Sequence, residues 1–274
     1  MHKAGLFTQL TNAVLLRVGN IFHISRDVFY SYKNKRKAKI LIFTDSRGYE
    51  VTKAWHRKSA YASYVGEFVK SYHVEYVICP EFSTTIIDFL FEYQKRVAMG
   101  KKYDAVIAHV GVVDFSPRPT SMLTDMMVNK RNRLTKLFEE ETIAHLENYH
   151  AQPFAELYFG KTVKNFYSMD FLGKHIIPKL KAIDNLILIG CNPILQNWRG
   201  NYWRDRPQNM NMILDYSDKC KSELEYFIDL SKLSENEIKM HTIDNIHLSR
   251  DGFRYVHQLI NAKLSVIFTK GNGK

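Results

Sequence analysis

The sequence predicts an α/β domain in which a doubly wound parallel sheet of about five strands lies between two layers of helices, a three-layer α/β/α sandwich. Short apolar segments rich in β-branched residues recur along the chain, and longer segments suited to helices separate them. Strands that are apolar almost throughout are typical of a parallel sheet covered on both faces. Because crossovers between parallel strands are right-handed, the alternation favours helices on both sides of the sheet.

The apolar segments define the predicted strands in chain order. They are KILIFT (39–44), VEYVICP (74–80), YDAVIAHVG (103–111), NLILIG (185–190) and EIKMHTI (237–243). The predicted helices lie between and after them, at 52–71, 84–98, 170–182, 209–231 and 250–267. Ligands of such folds bind beyond the carboxyl ends of the strands, so the residues that follow each strand are the candidates for function.

Residues 1–37 are predicted to form a basic extension that precedes the domain. Apolar residues recur there at every fourth position, as in an amphipathic helix, and the basic run KNKRKAK follows at 33–39. Such a helix can contact a membrane surface or a partner. It can equally pack on the flank of its own domain. The apolar stripe consists of Leu6, Leu10, Val14, Val18 and Phe22.

The remaining residues, 38–270, are predicted to form one domain. Residues 115–168 do not fit the alternation of strands and helices, and their charged centre around 126–148 has helical character. We interpret this segment as a helical insertion near the functional site.

The net charge of +11 is spread along the chain and favours anionic partners. Acidic glycans, phosphorylated donors, nucleic acid and membrane surfaces all belong to that class, and charge alone does not choose among them. A hydrophobic fraction of 45% and a charged fraction of 24% are typical of a globular chain that buries a sizeable core.

The cysteines and the N-terminus predict a cytoplasmic protein, peripheral to a membrane if the extension binds one. The 3 cysteines form no CxxC pair, which favours free thiols in a reducing compartment. The longest apolar run near the N-terminus, Ala13 to Leu16, is 4 residues long. That length is too short for a signal-peptide core or a membrane span.

Two motifs stand at the ends of predicted strands. The first predicted strand ends in Thr44-Asp45-Ser46, and a serine at a strand-to-helix turn can present its hydroxyl to the cleft. The last predicted strand ends just before Asp244, which precedes His247 by 3 residues. A carboxylate at that spacing can orient the imidazole and stabilise the imidazolium formed when histidine accepts a proton from serine. Helix capping is the alternative interpretation of each motif alone.

Together these motifs resemble the SGNH (GDSL-like) hydrolases, whose first block reads Gly-Asp-Ser and whose last block reads Asp-x-x-His. Thr44 replaces the glycine of the first block, while Asp251-Gly252 continues the last block in the family's manner. The resemblance implies a flavodoxin-like three-layer fold over residues 38–268. It also implies a catalytic triad of Ser46, Asp244 and His247.

The third block of the family, Gly-x-Asn-Asp, aligns with Gly111-Val112-Val113-Asp114. The resemblance implies that Gly111 and Asp114 belong to the oxyanion or substrate-binding region. Val113 stands where the family has an asparagine that donates to the oxyanion, and loss of one such donor costs about 3–4 kcal/mol of transition-state stabilisation. The second block, at residues 80–85, has no glycine.

Three side chains are candidates to replace the missing donor. Asn192 follows the fourth predicted strand, Arg47 adjoins Ser46, and Arg118 lies in the Phe-Ser-Pro-Arg-Pro segment. Each has an ordinary alternative, as a turn residue or a solvated surface cation.

The loop at 196–206 interleaves aromatic residues with arginines, among them Trp198 and Arg199. Such a loop can stack on sugar faces and bind anions. It can also stack on nucleic-acid bases, or be a loop anchored by its tryptophans. His109 lies in an apolar run and is interpreted as a core histidine. No metal-ligand or nucleotide-binding spacing occurs in the sequence, so no metal and no cofactor are expected.

These observations predict a serine-dependent esterase or O-acyltransferase that acts on an acylated glycan or a small ester, in the second case with an acyl donor. The alternative is a catalytically weak or inactive binding or assembly module in a glycan or membrane-associated pathway, and Val113 favours it. Only the net charge favours binding of nucleic acid, and no specific nucleic-acid partner is predicted.

Overall fold

The computed structural model describes residues 6–153, 157–158, 160–202 and 206–271. Its centre is a parallel sheet of 5 strands in the order β2-β1-β3-β7-β8, flanked by helices. A smaller antiparallel sheet has the order β4-β6-β5. The strands are β1 (Lys39–Thr44), β2 (His73–Ile78), β3 (Ala105–His109), β4 (Arg118–Pro119), β5 (Leu157–Tyr158), β6 (Lys161–Lys164), β7 (Leu186–Ile189) and β8 (Tyr226–Ile228).

The helices cover both faces of the central sheet, so the predicted three-layer α/β class is confirmed. They are α1 (Leu6–Lys33), α2 (Tyr64–Ser71), α3 (Ile86–Ala98), α4 (Val112–Phe115), α5 (Thr120–Leu137), α6 (Glu140–Ala151), α7 (Met169–Phe171), α8 (Ile177–Lys181), α9 (Ile213–Glu223), α10 (Glu235–His241) and α11 (Arg250–Gly271). A π-helical turn, Leu172–Ile176, joins α7 to α8.

Alternation along the strands divides the core into two parts. In β1, Leu41 and Phe43 face one layer, which includes α3, while Ile40 and Ile42 face the other, which includes α2 and α11. Both sets are buried, so the strand is apolar at every one of these positions. This two-sided burial explains why β1, β3 and β7 were recognisable in the sequence, whereas β2 is only half-buried along most of its length.

The predicted fifth strand at 237–243 is wrong, because that segment forms α10. Ser234 and Glu237 make a capping box, in which each side chain accepts from the other residue's backbone N–H, and this starts a helix. The fifth strand of the sheet is β8 instead, within the segment predicted as a helix at 209–231. Helix α9 ends at Glu223, Leu224 is extended, and the chain then pairs with β7.

Residues 115–168, the predicted insertion, contain α5, α6 and the small sheet. Helix α1 rests on the domain through its second half: the Arg26 guanidinium donates to Gly66 O at 2.9 Å and the Asn34 amide to Val69 O at 3.0 Å. No helix in the described ranges is long and apolar enough to cross a membrane. The predicted contact of residues 1–37 with a membrane surface stays a prediction.

Candidate active site

Ser46 begins a short 3-10 turn directly beyond the carboxyl end of β1. The Asp45 N–H donates to His109 O at 3.0 Å, which continues the pairing of β1 with β3 by one residue. The Asp45 carboxylate then accepts from the Arg47 N–H at 2.9 Å and caps the turn. These bonds place Ser46 at the edge of the sheet with its side chain partly exposed to the cleft.

Asp244 and His247 lie on a tight loop between α10 and α11. The Asp244 Oδ1 atom accepts from the backbone N–H groups of Ile246 at 3.1 Å and His247 at 2.8 Å. Asn245, between them, has a φ of 73°, the left-handed conformation that asparagine tolerates better than most residues. The carboxylate is therefore fixed before it meets the imidazole.

The structure brings the three residues of the predicted triad into one hydrogen-bonded chain. The His247 Nε2 atom lies 2.9 Å from Ser46 Oγ, and its Nδ1 atom lies 2.7 Å from Asp244 Oδ2. Serine, imidazole and carboxylate in this order form the arrangement that activates a serine nucleophile. Asp244 is buried, whereas Ser46 and His247 line the cleft.

The surroundings keep Asp244 ionised. Burial alone would raise the pKa of its carboxyl, but hydrogen bonds from the His247 ring and from backbone N–H groups outweigh that cost and lower the pKa. Arg206 adds positive charge, because its Nη2 atom donates to Asp244 O at 2.8 Å and lies 3.6 Å from Asp244 Oδ2. An ionised Asp244 can accept the Nδ1–H bond and stabilise an imidazolium.

Asn192 stabilises the loop that carries Asp244 and His247. Its side chain does not reach the cleft, contrary to the prediction. Its side-chain N–H groups donate to Asn245 O and Pro193 O, both at 2.9 Å, so they are not available to an oxyanion. The Asn245 side chain continues this clamp, accepting from Leu195 N–H at 2.9 Å and donating to Trp198 O. The loop after β7 thus fixes the position of the Asp244–His247 loop.

Arg47 points into the protein and not into the cleft. Its guanidinium binds the Asp45 carboxylate through Nε at 3.0 Å and Nη2 at 2.8 Å, and the side chain is buried. Burial lowers the pKa of Arg47, but the Asp45 charge more than offsets this and raises it above the ordinary value. The predicted direct contact of Arg47 with substrate is therefore not supported.

Gly111 and Asp114 stabilise the fold and do not face the cleft. Gly111 adopts a φ of 111° before α4, where a Cβ would lie 2.7 Å from the Phe115 ring. Asp114 is buried and accepts from Ile86 N–H at 3.0 Å and Tyr167 Oη–H at 2.9 Å. Neither residue lines the cleft, so neither is placed to bind substrate as predicted.

Val113 and Arg118 do line the cleft. The Val113 side chain offers no hydrogen-bond donor, but its backbone carbonyl accepts from Arg118 Nε at 2.9 Å. Arg118 is thereby held against helix α4. Burial lowers the pKa of its guanidinium to about 10, and the group remains charged at neutral pH.

The cleft that contains Ser46 and His247 has a volume of about 1070 Å³. Loops after β1, β2 and β3 form it together with the small sheet and the segment that follows β7. In the described ranges, no group of three or more His, Cys, Asp and Glu side chains can hold a metal ion.

The loop at 196–206 lies only partly within the described residues, since 203–205 fall outside them. Trp198 and Arg199 do not line the cleft, although the Trp198 carbonyl belongs to the clamp on Asn245. Tyr202 and Arg206 do line it, and the Arg206 guanidinium lies 4.0 Å from the centre of the Tyr202 ring. The sequence analysis predicted Trp198 and Arg199 in this loop, because spacing alone does not show which side chains turn toward the cleft.

Comparison with known proteins gives solved structures of similar fold and no sequence match. No protein-family model matches the chain, and no curated protein matches it. The chain is similar to the lipase/acylhydrolase from Enterococcus faecalis, with 16% sequence identity and a TM-score of 0.48, over 85% of this chain and 96% of that chain.

Proposed function

We propose that the chain is a serine-dependent acyl-ester enzyme of the SGNH hydrolase type, an esterase or an O-acyltransferase. The observation that carries this proposal is the chain of hydrogen bonds from Ser46 through His247 to Asp244, beyond the carboxyl end of a parallel sheet and open to a cleft. A glycan or similar acylated molecule is the substrate we favour, because aromatic and cationic side chains meet at the cleft.

In the proposed reaction, His247 Nε2 accepts the proton of Ser46 Oγ as that oxygen attacks the acyl carbonyl. Asp244 holds the Nδ1–H and stabilises the imidazolium. The imidazolium then protonates the leaving alcohol, and an acyl-serine remains. Water, or a sugar hydroxyl in the transfer reaction, gives a proton to His247 Nε2 and attacks the acyl carbonyl. The imidazolium then returns that proton to Ser46 Oγ as the bond from the acyl group to serine breaks.

The negative charge of the tetrahedral intermediate needs donors other than residue 113. The Ser46 backbone N–H makes no hydrogen bond to any described protein atom, so it is available to the oxyanion. In the region of the second block, the N–H groups of Cys79, Glu81 and Thr85 are already engaged within the protein. The oxyanion site thus lacks the side-chain donor of the family pattern and depends on backbone N–H groups.

That same feature favours the second candidate, a binding or assembly module that has kept the fold. A cleft lined by Val113 at the position of the oxyanion asparagine can hold an ester without accelerating its cleavage. The two candidates differ in whether Ser46 is a nucleophile.

Labelling with a fluorophosphonate tests this difference. The protein is treated with the probe and its intact mass is read, in parallel with Ser46→Ala and His247→Ala. We expect stoichiometric labelling of the parent, none of Ser46→Ala, and a loss of about 10⁴-fold or more in rate for His247→Ala. Ser121, which lines the same cleft, supplies the matched control, and Ser121→Ala is expected to label like the parent.

Absence of labelling in folded parent protein, together with no release of acetate from acetylated sugars, would overturn the enzymatic proposal. Folding of each variant is checked by circular dichroism. Labelling at a serine other than Ser46 would equally contradict it.

A further inference from the structure

The cleft beside the triad has a marked excess of positive charge. Within the described ranges, the only acidic side chain that lines the cleft is Asp125. The cationic lining residues are Lys53, Arg57, Lys58, Arg118, Lys161 and Arg206.

Five of these cations, all except Arg206, lack a carboxylate partner within the described residues. Elsewhere, for example, Glu75 pairs with Lys39 at 3.1 Å and with Lys101 at 2.7 Å. In the described part of the chain no ion pair involves Lys53, Arg57, Lys58, Arg118 or Lys161. The surplus charge of the sequence is therefore concentrated, in part, around the cleft.

Arg118 is the most firmly held of these cationic side chains. It lies between Pro117 and Pro119 and pairs through β4 with Lys164 of β6, so its backbone is restrained. Its Nε bond to Val113 O fixes the plane of the guanidinium. A half-buried guanidinium without a carboxylate loses hydration that an anionic ligand can replace.

Arg206 is fixed on the triad side of the same cleft. Its Nη2 atom donates to Asp244 O, and its guanidinium stacks on Tyr202. Positive charge therefore begins beside the triad and continues across the cleft to Arg118. A ligand that meets these groups would lie next to Ser46, which also lines the cleft.

We propose that the cleft binds a multiply charged anion of phosphate or pyrophosphate chemistry, with Arg118 as its principal contact and the lysines as additional point charges. The planar fork of arginine matches a phosphate with two parallel hydrogen bonds, while lysine contributes charge without that geometry. One carboxylate would neutralise only one of the unpaired cations, whereas a pyrophosphate carries enough charge for several. The assignment of this anion to the acylated substrate rests on the proposed esterase or transferase activity, but the anion site itself does not.

Calorimetric titration of inorganic pyrophosphate into Ser46→Ala protein measures the anion site without any turnover. We expect one site, which Arg118→Gln weakens by about 10-fold or more, since a hydrogen-bonded charge contributes about 1.5–3 kcal/mol. Arg118→Lys is expected to bind with intermediate affinity, because it keeps the charge and loses the fork. Arg254→Gln is the matched control, as Arg254 is 76% exposed and pairs with Asp251 away from the cleft lining.

Equal affinity in Ser46→Ala with and without Arg118→Gln would overturn the site. An equal loss in Arg254→Gln would do the same, since it would indicate unspecific attraction to a basic protein. Thermal unfolding of each variant shows whether a lost affinity reflects a lost fold.

A pair of substrates separates free phosphate from a phosphate carried by the substrate. We expect the parent to cleave acetylated glucose 6-phosphate with a kcat/KM about 10-fold or more above that of acetylated glucose, and Arg118→Gln to bring this ratio toward unity. Pyrophosphate binding without cleavage of either ester would support the anion site and contradict the proposed activity. Cleavage of both esters at equal rates, without pyrophosphate binding, would support the activity and overturn the anion site.

Discussion

At the scale of single residues, the position of Ser46 depends on the fit between Thr44 and Gly48. Thr44 ends β1 and is fully buried, while Gly48 closes the turn that carries Ser46. A Cβ on Gly48 would lie 1.9 Å from Thr44 Oγ1 and 2.5 Å from Thr44 Cβ. Thr44 at one end of the turn therefore requires glycine at the other end.

The substitution Gly48→Ala should destabilise the protein by about 1–3 kcal/mol, because the added methyl group overpacks a buried turn. It should also slow fluorophosphonate labelling, since relief of the clash displaces Ser46. In the Thr44→Gly background the same Gly48→Ala change should cost far less, because the clashing atoms are gone. Urea unfolding of the four proteins measures this coupling, and equal costs in both backgrounds would contradict the packing argument.

At the scale of elements, Asp114 joins three parts of the fold. It lies in α4, accepts from the first N–H of α3 at Ile86, and accepts from Tyr167, which precedes α7. Burial raises the pKa of its carboxyl to about 7, although the bonds from Ile86 and Tyr167 act in the opposite direction. Asp114, which the sequence analysis assigned to the oxyanion or substrate-binding region, thus has a structural role.

This raised pKa predicts how stability changes with pH. In the unfolded chain the carboxyl titrates near pH 3.9, so between about pH 4 and about pH 7 the folded state binds more protons. The Asp114 contribution to the free energy of unfolding should fall as pH rises through that window, by at most ~1.4 kcal/mol per pH unit. Asp114→Asn, which cannot ionise, should remove this part of the slope.

Urea unfolding of the parent and of Asp114→Asn at about pH 5, 6, 7 and 8 makes the comparison. The stability advantage of the parent is expected to shrink over the series. Asp251→Asn, at an exposed position, controls for the loss of an ordinary carboxylate. A parent curve parallel to that of Asp114→Asn throughout would show that Asp114 is ionised in the folded protein at all these pH values.

The elements that the sequence predicted correctly are those marked by a pattern of neighbouring residues. Strand β1 was placed at its observed bounds, because an apolar run bounded by charged residues has few other uses. Strand β8 was missed, since its 3 residues follow α9 after a two-residue connection and are recognisable only through their pairing with β7. The capping box of α10 was present in the sequence at Ser234 and Glu237, and it was the signal against a strand there.

In the candidate site, too, some features were predictable from the sequence and others were not. The two motifs predicted that Ser46 would meet His247, although the strand expected before Asp244 is helix α10. The direction of Arg47 follows from its pairing with Asp45, and that of Asn192 from the distant loop at Asn245. The spacing of residues in the sequence specifies neither direction. Backbone position was therefore predictable from pattern, whereas side-chain direction required the assembled fold.

At the scale of the whole molecule, two regions of the described chain bring together several cations that make no ion pair. One is the cleft, and the other is the end of α1 and the turn after it, where Lys33, Lys35, Arg36 and Lys37 are exposed and make no ion pair within the described residues. The same helix exposes large apolar side chains along its length. They are Val14, Val18, Ile21, Phe22, Ile24, Val28, Phe29 and Tyr32.

An exposed apolar helix face beside a cluster of cations is typical of a segment that lies on an anionic membrane surface. A second copy of the chain is a poorer occupant, because the only acidic residue in 1–37 is Asp27, which is engaged with Arg26 and Tyr76. The predicted extension thus has a flank that packs on the domain and an outer face suited to lipid.

We therefore predict that the protein sediments with vesicles that contain phosphatidylglycerol and not with vesicles of phosphatidylcholine alone. The double substitution Lys35→Gln and Arg36→Gln should weaken binding by about 2 kcal/mol, roughly 1 kcal/mol for each charge near the surface. Phe29→Gln should weaken it through the loss of apolar burial, whereas Arg254→Gln should not change it. Sedimentation with neither kind of vesicle, combined with a dimer in light scattering that Phe29→Gln dissociates, would assign the α1 face to self-association and contradict the membrane prediction.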